Sequence, residues 1–575
     1  MPRHLSWLTA LLAIAAAAGA ASGAPHPPTW VFFTDKADGR NGRVPWPTPE
    51  QVGAGLPLRG DVDPRYLARL EAAGVPPVAI SRWFNAAVVR ASAAQIQAVE
   101  ALPWVRATRP AARFAPGAPA PPVPAGRPAA VATDYGASFD QAAAIGATVL
   151  HQAGYRGAGV RVAILDAGFN WRDHRCLAGA RVVAARDFIN GDDEVGDEPD
   201  EPVTGFEAAV DQNQHGTQVL SLLAGDLPGS LIGIAPEAEY LLAKTEEVAR
   251  EDPVEEYRWI AALEWADSLG AQVLNTSLGY NFFDDGTGYT AADLDGQTAL
   301  TTRAAELAVA AGMVVVAAAG NEGDKEWRYV TVPADGADVI AVGAVSALAR
   351  AAGGFDYVIA PFSSRGPTAD GRIKPDVVAP GVGLYAVSGR AADGPGSHSF
   401  ALEEYAWVRG TSFAAPLVAG ACALLLQVHP GWGPSQVADA LRRTALDLGP
   451  AGPDTIFGWG AADALGASGL NVERPALTSA RPPYPNPVAA AGPAAVVHFP
   501  VELAAPGPVA VEVYDVAGAL VDCVEPFQLE AGAHVEPDQA VRWPVPADLA
   551  SGLYFYRLRA GGLVRAGRIA VVRSD

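Results

Sequence analysis

The chain is poor in cysteine, lysine and methionine: three Cys (Cys176, Cys422, Cys523), four Lys and two Met in 575 residues. Three scattered cysteines exclude a disulfide framework and a cysteine-based zinc site; at most one disulfide could close, with one thiol left over. Positive charge is also scarce. Against 63 Asp and Glu stand 41 Lys and Arg, for a formal net charge of −22. A nucleic-acid binder needs a basic face to neutralise phosphates, so no nucleic-acid partner is expected. An anionic membrane surface is a poor partner for the same reason. Long apolar runs are few as well. Beyond the first residues, none reaches the roughly 20 apolar positions of a membrane helix. The run from Ser412 to Val428 is interrupted by Pro416 and Gly420 and reads as a buried core helix. No transmembrane span is therefore expected once a leader is removed.

What is present is enough apolar sequence, 50% of all residues, to build sizeable cores. The length corresponds to roughly four domains at about 150 residues each. Residues 1–24 read as a secretory signal. Arg3 and His4 precede an apolar stretch from Leu5 to Ala21, small residues follow, and Pro25 ends it. The expected location is secreted, extracellular or attached to the cell surface. Residues 25–110 read as a small α+β unit. Its strands are expected at Trp30–Thr34 and Arg82–Val89, and its helices at Pro64–Ala73 and Ser92–Ala101, the second opened by a Ser92/Gln95 capping box. Residues 111–133 are a Pro/Ala linker.

From 134 to 470 short apolar strands alternate with helical stretches. The strand candidates are Val160–Leu165, Tyr240–Ala243, Val273–Thr276, Val314–Ala318 and Val339–Val342; the helices are Glu256–Leu269 and Ala299–Ala311. That pattern predicts an α/β domain whose parallel sheet is buried between helices. Residues 480–575 turn to period-two strands (Val496–Phe499, Val509–Tyr514, Leu553–Leu558, Leu563–Val572), which fit a C-terminal β-sandwich module.

Four segments of the α/β region carry polar groups suited to chemistry. Asp166 ends an apolar strand, where open α/β sheets keep their functional groups. His215 opens an apolar helical run beside Gly216. Ser412 opens the buried helix, where a developing oxyanion meets the positive helix end. Asn321 follows a strand at Ala318-Ala319-Gly320 and can donate its amide to an oxyanion. Taken singly, these are a loop cap, a core histidine, a helix N-cap and a turn asparagine. Taken together, a hydroxyl, a base and a carboxylate are what nucleophilic acyl transfer requires. The order Asp, His, Ser differs from that of α/β-hydrolases and of the chymotrypsin type, and is that of subtilisin.

The chain resembles the subtilisin-like serine peptidase family. The matching stretches are Asp166-Ala167-Gly168, His215-Gly216-Thr217, Gly233-Ile234-Ala235-Pro236, Asn275-Thr276-Ser277-Leu278-Gly279, Ala319-Gly320-Asn321, Phe362–Pro367, Lys374–Gly381 and Gly410-Thr411-Ser412, in the family's order. The resemblance implies a secreted serine endopeptidase acting on protein or peptide substrates through an acyl-enzyme, with Asp166, His215 and Ser412 as triad and Asn321 at the oxyanion. It implies that Ser277, Leu278 and Gly279 pair with the substrate backbone, and that the Ala317–Gly320 segment, including Ala318, Ala319 and Gly320, walls the primary specificity pocket. It implies no cofactor for the chemistry. Residues 25–110 resemble the inhibitory propeptide of such zymogens, which makes the chain's own N-terminal unit a partner. The tail resembles sorting or Ig-like modules of secreted bacterial proteins. Two departures are Gln218, where the family often has His, and Ala167, where Thr or Ser is usual. Gly191–Glu201 holds seven acids and no base; it reads as a solvated loop, with a structural calcium as the alternative. Two rival functions use the same residues: a non-catalytic binding scaffold, and a peptide ligase in which an amine replaces water.

Overall fold

The computed structural model describes residues 28–37, 43–45, 62–110, 134–196, 212–388, 405–471 and 479–573, apart from 173, 249, 350–353 and short stretches of the last segment. The leader, the Pro/Ala linker and residues 197–201 of the acidic segment lie outside the described residues.

The N-terminal unit is an antiparallel sheet of four strands, ordered Pro77–Ser81, Ala86–Arg90, Pro28–Phe33, Val105–Pro110. Helix Pro64–Ala72 starts where Asp63 accepts the Arg65 N–H at 2.9 Å, with Pro64 in the first turn. Helix Ala93–Glu100 starts with the expected capping box: Ser92 Oγ accepts the Gln95 N–H at 3.3 Å, and Gln95 Oε1 accepts the Ser92 N–H at 2.9 Å. Side chains alternate along the strands. Val31, Phe33, Ala87 and Val89 face the two helices in a core with Tyr66 and Trp104. Phe32, Ala86 and Val88 face the other way, into the α/β domain.

One expectation fails here. Arg82–Val89 is not a single strand: Arg82–Asn85 is a tight turn between two strands. Asn85 takes φ 48, a left-handed conformation that asparagine tolerates. Ser81 Oγ holds the turn by accepting the Phe84 N–H at 3.0 Å. The aromatic Trp83 and Phe84 looked like strand residues because they are buried, but what buries them is the neighbouring domain.

The α/β domain is built on strands β1 (Arg161–Asp166), β2 (Arg181–Asp187), β3 (Glu239–Lys244), β4 (Val273–Thr276), β5 (Val314–Ala318), β6 (Ile340–Ala349), β7 (Phe355–Ile359) and β8 (Val377–Pro380). Their order is 7-6-5-4-1-3-2, with β8 also beside β6. Every pair is parallel except β6 with β7. The central strands are buried on both faces, which is why they read as unbroken apolar runs. Helices α1 (Gln214–Ala224) and α4 (Thr411–Val428) cover one face, and α2 (Glu255–Ser268) and α3 (Leu300–Ala311) the other. Helix α4 is long and apolar enough to cross a bilayer, yet it lies in the core of this domain. Its Cys422 is buried without a disulfide partner, and burial pushes its thiol pKa far up.

The N-terminal unit rests on α2 and α3. Ser81 Oγ donates to Glu264 Oε1 at 2.6 Å, Arg82 pairs with Asp267 at 3.0 Å, and the Arg303 guanidinium lies over the Phe84 ring. The C-terminal region is β-rich. A five-stranded sheet includes Gly507–Tyr514, Leu520–Leu529, Gly552–Ala560 and Leu563–Val572. Smaller antiparallel sheets share its core, where Phe499, Trp543 and Tyr556 are buried.

In the acidic segment, the described part is tied to arginines: Arg186 pairs with Asp193 at 3.0 Å and Arg172 pairs with Glu194. Among the described residues no group of metal-ligating side chains assembles.

Candidate active site

Parallel strands leave their carboxyl ends on one edge, and β1, β4 and β5 are neighbours there. Asp166 is the last residue of β1, Ser277–Gly279 follow β4, and Ala318 ends β5, with Ala319–Asn321 after it. The N-termini of α1 and α4 add His215 and Ser412. A cleft of about 410 Å³ results, lined by His215, Ser277, Leu278, Gly279, Asn321 and Ser412 among others. Ala318 and Gly320 also line it. Ala319 does not: it is fully buried in the core beneath.

His215 Nδ1 lies 2.7 Å from Asp166 Oδ1. The carboxylate is fully buried, and the imidazole side chain is 32% exposed toward the cleft. Gly216 permits this approach, since a Cβ there would stand 2.3 Å from the Gly168 carbonyl oxygen and 3.1 Å from the Asp166 Cβ. Asp166 Oδ1 also accepts the Ala167 N–H at 2.8 Å, whereas its buried Oδ2 has no hydrogen-bond partner. A hydroxyl at position 167 is the group that Ala167 lacks.

Ser412 is the second residue of α4, so its N–H has no acceptor within the helix. Its Oγ donates to the Ser277 carbonyl at 3.0 Å, and Ser277 Oγ donates back to the Ser412 carbonyl at 2.6 Å. The nucleophile candidate is thereby locked against the edge segment. Asn321 is held from the other side: its Oδ1 accepts the Thr411 N–H at 2.9 Å and the Thr411 hydroxyl at 3.1 Å. With Oδ1 so engaged, the Nδ2 amide is left to donate elsewhere. Thr411, a residue the sequence reading passed over, therefore orients the asparagine; its place beside Ser412 in Gly410-Thr411-Ser412 was the available signal.

The family's sequence description for subtilases (Peptidase S8) matches residues 157–460, and that for the peptidase S8 propeptide domain of Bacteroidota matches residues 60–120. The chain belongs to the subtilase family. This subtilase is 35% identical over 309 residues to Subtilisin E of Bacillus subtilis (strain 168), covering 53% of its own length and 65% of that relative. It is 35% identical over 309 residues to Subtilisin of Bacillus pumilus, covering 53% of its own chain and 90% of that relative. To Subtilisin Savinase of Lederbergia lenta it is 32% identical over 325 residues, which is 56% of this chain and 95% of the other. The propeptide match falls on the N-terminal unit that packs on α2 and α3.

The cleft of this subtilase has an acidic wall that sequence reading missed. Glu246, Glu247 and Glu251, in the loop from β3 to α2, and Glu255, the first residue of α2, line it. The signal was the Glu246-Glu247 pair at a strand's carboxyl end. Glu246 is 7% exposed, and burial pushes its pKa up to about 7 against hydrogen bonds from Tyr280 at 2.7 Å and Thr245 at 2.9 Å. For His215, burial works to lower the imidazole pKa. The Asp166 charge and hydrogen bond, with the Glu246 charge, outweigh it and hold the pKa above the ordinary histidine value. A general base must be neutral, so activity should rise as pH rises through that elevated pKa. Glu246→Gln removes a carboxyl group whose ionised form, present in part near pH 7, favours the imidazolium. The acidic limb of the kcat/KM profile should then move to lower pH, with the alkaline side unchanged. A limb that stayed in place, or moved upward, would show that Glu246 does not act on His215.

Proposed function

We propose that the protein is a secreted serine endopeptidase, made as a zymogen, that hydrolyses peptide bonds in proteins through an acyl-enzyme. The observation that carries the reading is the 2.7 Å Asp166–His215 contact opening onto the cleft that also holds Ser412 and Asn321. Ser412 Oγ leaves the Ser277 carbonyl, gives its proton to His215 Nε2 and bonds to the scissile carbonyl carbon. The carbonyl electrons move onto oxygen, which Asn321 Nδ2 and the Ser412 N–H stabilise. Asp166 keeps the Nδ1 proton in place and supports the imidazolium. His215 then protonates the leaving amine, the C–N bond breaks, and water repeats the sequence to release the acid. The substrate backbone lies along Ser277–Gly279 as an added strand. The N-terminal unit, docked on α2 and α3, is the chain's own propeptide partner, and residues 1–24 direct export.

A fluorophosphonate probe tests the reading. It should label the purified protein once, on the peptide containing Ser412, in step with loss of peptide hydrolysis. A folded protein that neither reacts at Ser412 nor cleaves any peptide would be the binding scaffold instead. Amide exchange onto an added amine in preference to water would mark a ligase.

A further inference from the structure

We propose that an aromatic strip on the hairpin of strands Val382–Val387 and Tyr405–Arg409 is a docking surface for the chain's own Pro/Ala linker, residues 111–133, and that it presents the linker for self-cutting. The two strands pair antiparallel, with Tyr385 opposite Trp407. Tyr405, two residues before Trp407, shares its face. Tyr385 stacks on Tyr405 with ring centroids 5.0 Å apart and 14° between planes, and leans on Trp407 at 5.0 Å and 56°. The three rings thus form one strip, and it is held rigidly. The buried His174 ring meets Tyr405 edge-on at 5.3 Å. Gln141 grips the backbone of Tyr385 twice: its Oε1 accepts the Tyr385 N–H at 2.8 Å, and its Nε2 donates to the Tyr385 carbonyl at 3.1 Å. Trp407 is nonetheless 66% exposed. A rigidly backed, exposed indole is the kind of side chain that anchors a partner.

Composition, reach and position select the occupant. The linker carries Pro116, Pro119 and Pro122, a proline at every third residue, and no acid. A polyproline II helix repeats every three residues, so such prolines share one face, and its carbonyls have no partners within the helix. Aromatic-lined surfaces bind that form at low entropic cost, and an indole N–H adds a donor for one carbonyl. Both ends of the linker are fixed. It follows the strand that ends at Pro110, and it leads into Asp134, whose carbonyl accepts the Gly229 N–H at 2.8 Å. Asp134 stands seven residues before Gln141, the residue that grips Tyr385. From Pro122 to Asp134 an extended chain spans roughly 37 Å at about 3.1 Å per residue, which is ample for the return. The second strand of the hairpin ends at Arg409 and leads through Gly410 into α4, which carries Ser412. A linker on the strip is therefore held beside the element that carries the nucleophile. The docking stands without the peptidase reading; the part in self-cutting rests on it.

The docking is tested on the full chain carrying Ser412→Ala, which should stay uncut. It is compared with the same chain in which Pro116→Gly, Pro119→Gly and Pro122→Gly break the repeat. Hydroxyl-radical footprinting read by mass spectrometry reports the accessibility of Trp407. Trp407 should be protected beside the native linker and oxidised severalfold faster beside the glycine linker. A Trp407 reactivity that the linker does not change, high or low, would overturn the docking; low in both would assign the cover to another segment or a second copy. The part in self-cutting is tested with Trp407→Ala in the otherwise unchanged chain. Self-cutting should slow by about tenfold, the weight of an indole anchor, while kcat/KM on a short unrelated peptide stays close to that of the wild type. Self-cutting at the wild-type rate, or an equal loss on the short peptide, would overturn that part. If the wild type cut neither itself nor any peptide, the peptidase reading would fall, and the footprint alone would decide the docking.

Discussion

Ser412→Ala should lower peptide hydrolysis by about 10⁶, the loss known for the corresponding nucleophile of a subtilisin, and should leave the precursor uncut. The substitution removes one oxygen whose hydrogen bond runs to the Ser277 carbonyl. The reciprocal bond from Ser277 Oγ to the Ser412 carbonyl is untouched, so the fold is expected to hold. The N-terminal unit is docked through Ser81, Arg82 and Phe84, and its last strand ends at Pro110. A peptidase cleft binds extended chain, and a Pro-rich composition such as that of residues 111–133 favours extended backbone. Self-cleavage is expected between about residues 105 and 135. Expressed away from other proteases, the wild type should run as two fragments and Ser412→Ala as one chain lacking only its leader. Identical cleavage of both would assign maturation to another enzyme.

Asp166→Asn should cost about 10⁴ in kcat, less than loss of the nucleophile. The side chain keeps its size, and the buried site has room for an amide in hydrogen-bonding terms because Asp166 Oδ2 is unpartnered. What changes is the proton. The carboxylate accepts from His215 Nδ1, which leaves Nε2 free to take the serine proton. An asparagine either sets its amide at the unpartnered Oδ2 place, leaving on Nδ1 an oxygen without the charge that supports the imidazolium, or turns the amide toward Nδ1, where it donates and shifts the imidazole proton to Nε2; both weaken the base. Thermal unfolding should stay close to that of the wild type, since a half-paired buried carboxylate is replaced by a neutral isostere. A variant that kept within tenfold of wild-type kcat would remove Asp166 from the mechanism. One that lost activity only by unfolding would leave its role structural.

Much of the architecture was readable because its causes are local. Strands β4 and β5 begin and end at the expected residues, and α2 and α3 fall within one residue of the expected bounds. Strands buried on both faces and helices with clear boundaries announce themselves in composition. The Arg82–Asn85 turn was hidden because its aromatic residues are buried by another domain, and burial alone looks the same in a turn and a strand. In the C-terminal region Leu520–Leu529 went unread. It lies at the edge of its sheet, with half its residues exposed and none fully buried, so it lacks a clean apolar alternation.

The chemistry divides in the same way. Asp166, His215, Asn321 and Ser412 could be picked out because each sits in a motif at the mouth of a strand or helix, and their order along the chain is itself a signature. Glu246 had no such mark. Glu246 raises the His215 pKa only because β3 lies beside β1 in the sheet, two strands far apart in sequence. Residue type and spacing therefore determined which groups are candidates for acyl transfer. The field around His215 depends on distances of a few ångström between segments that only the tertiary fold brings together.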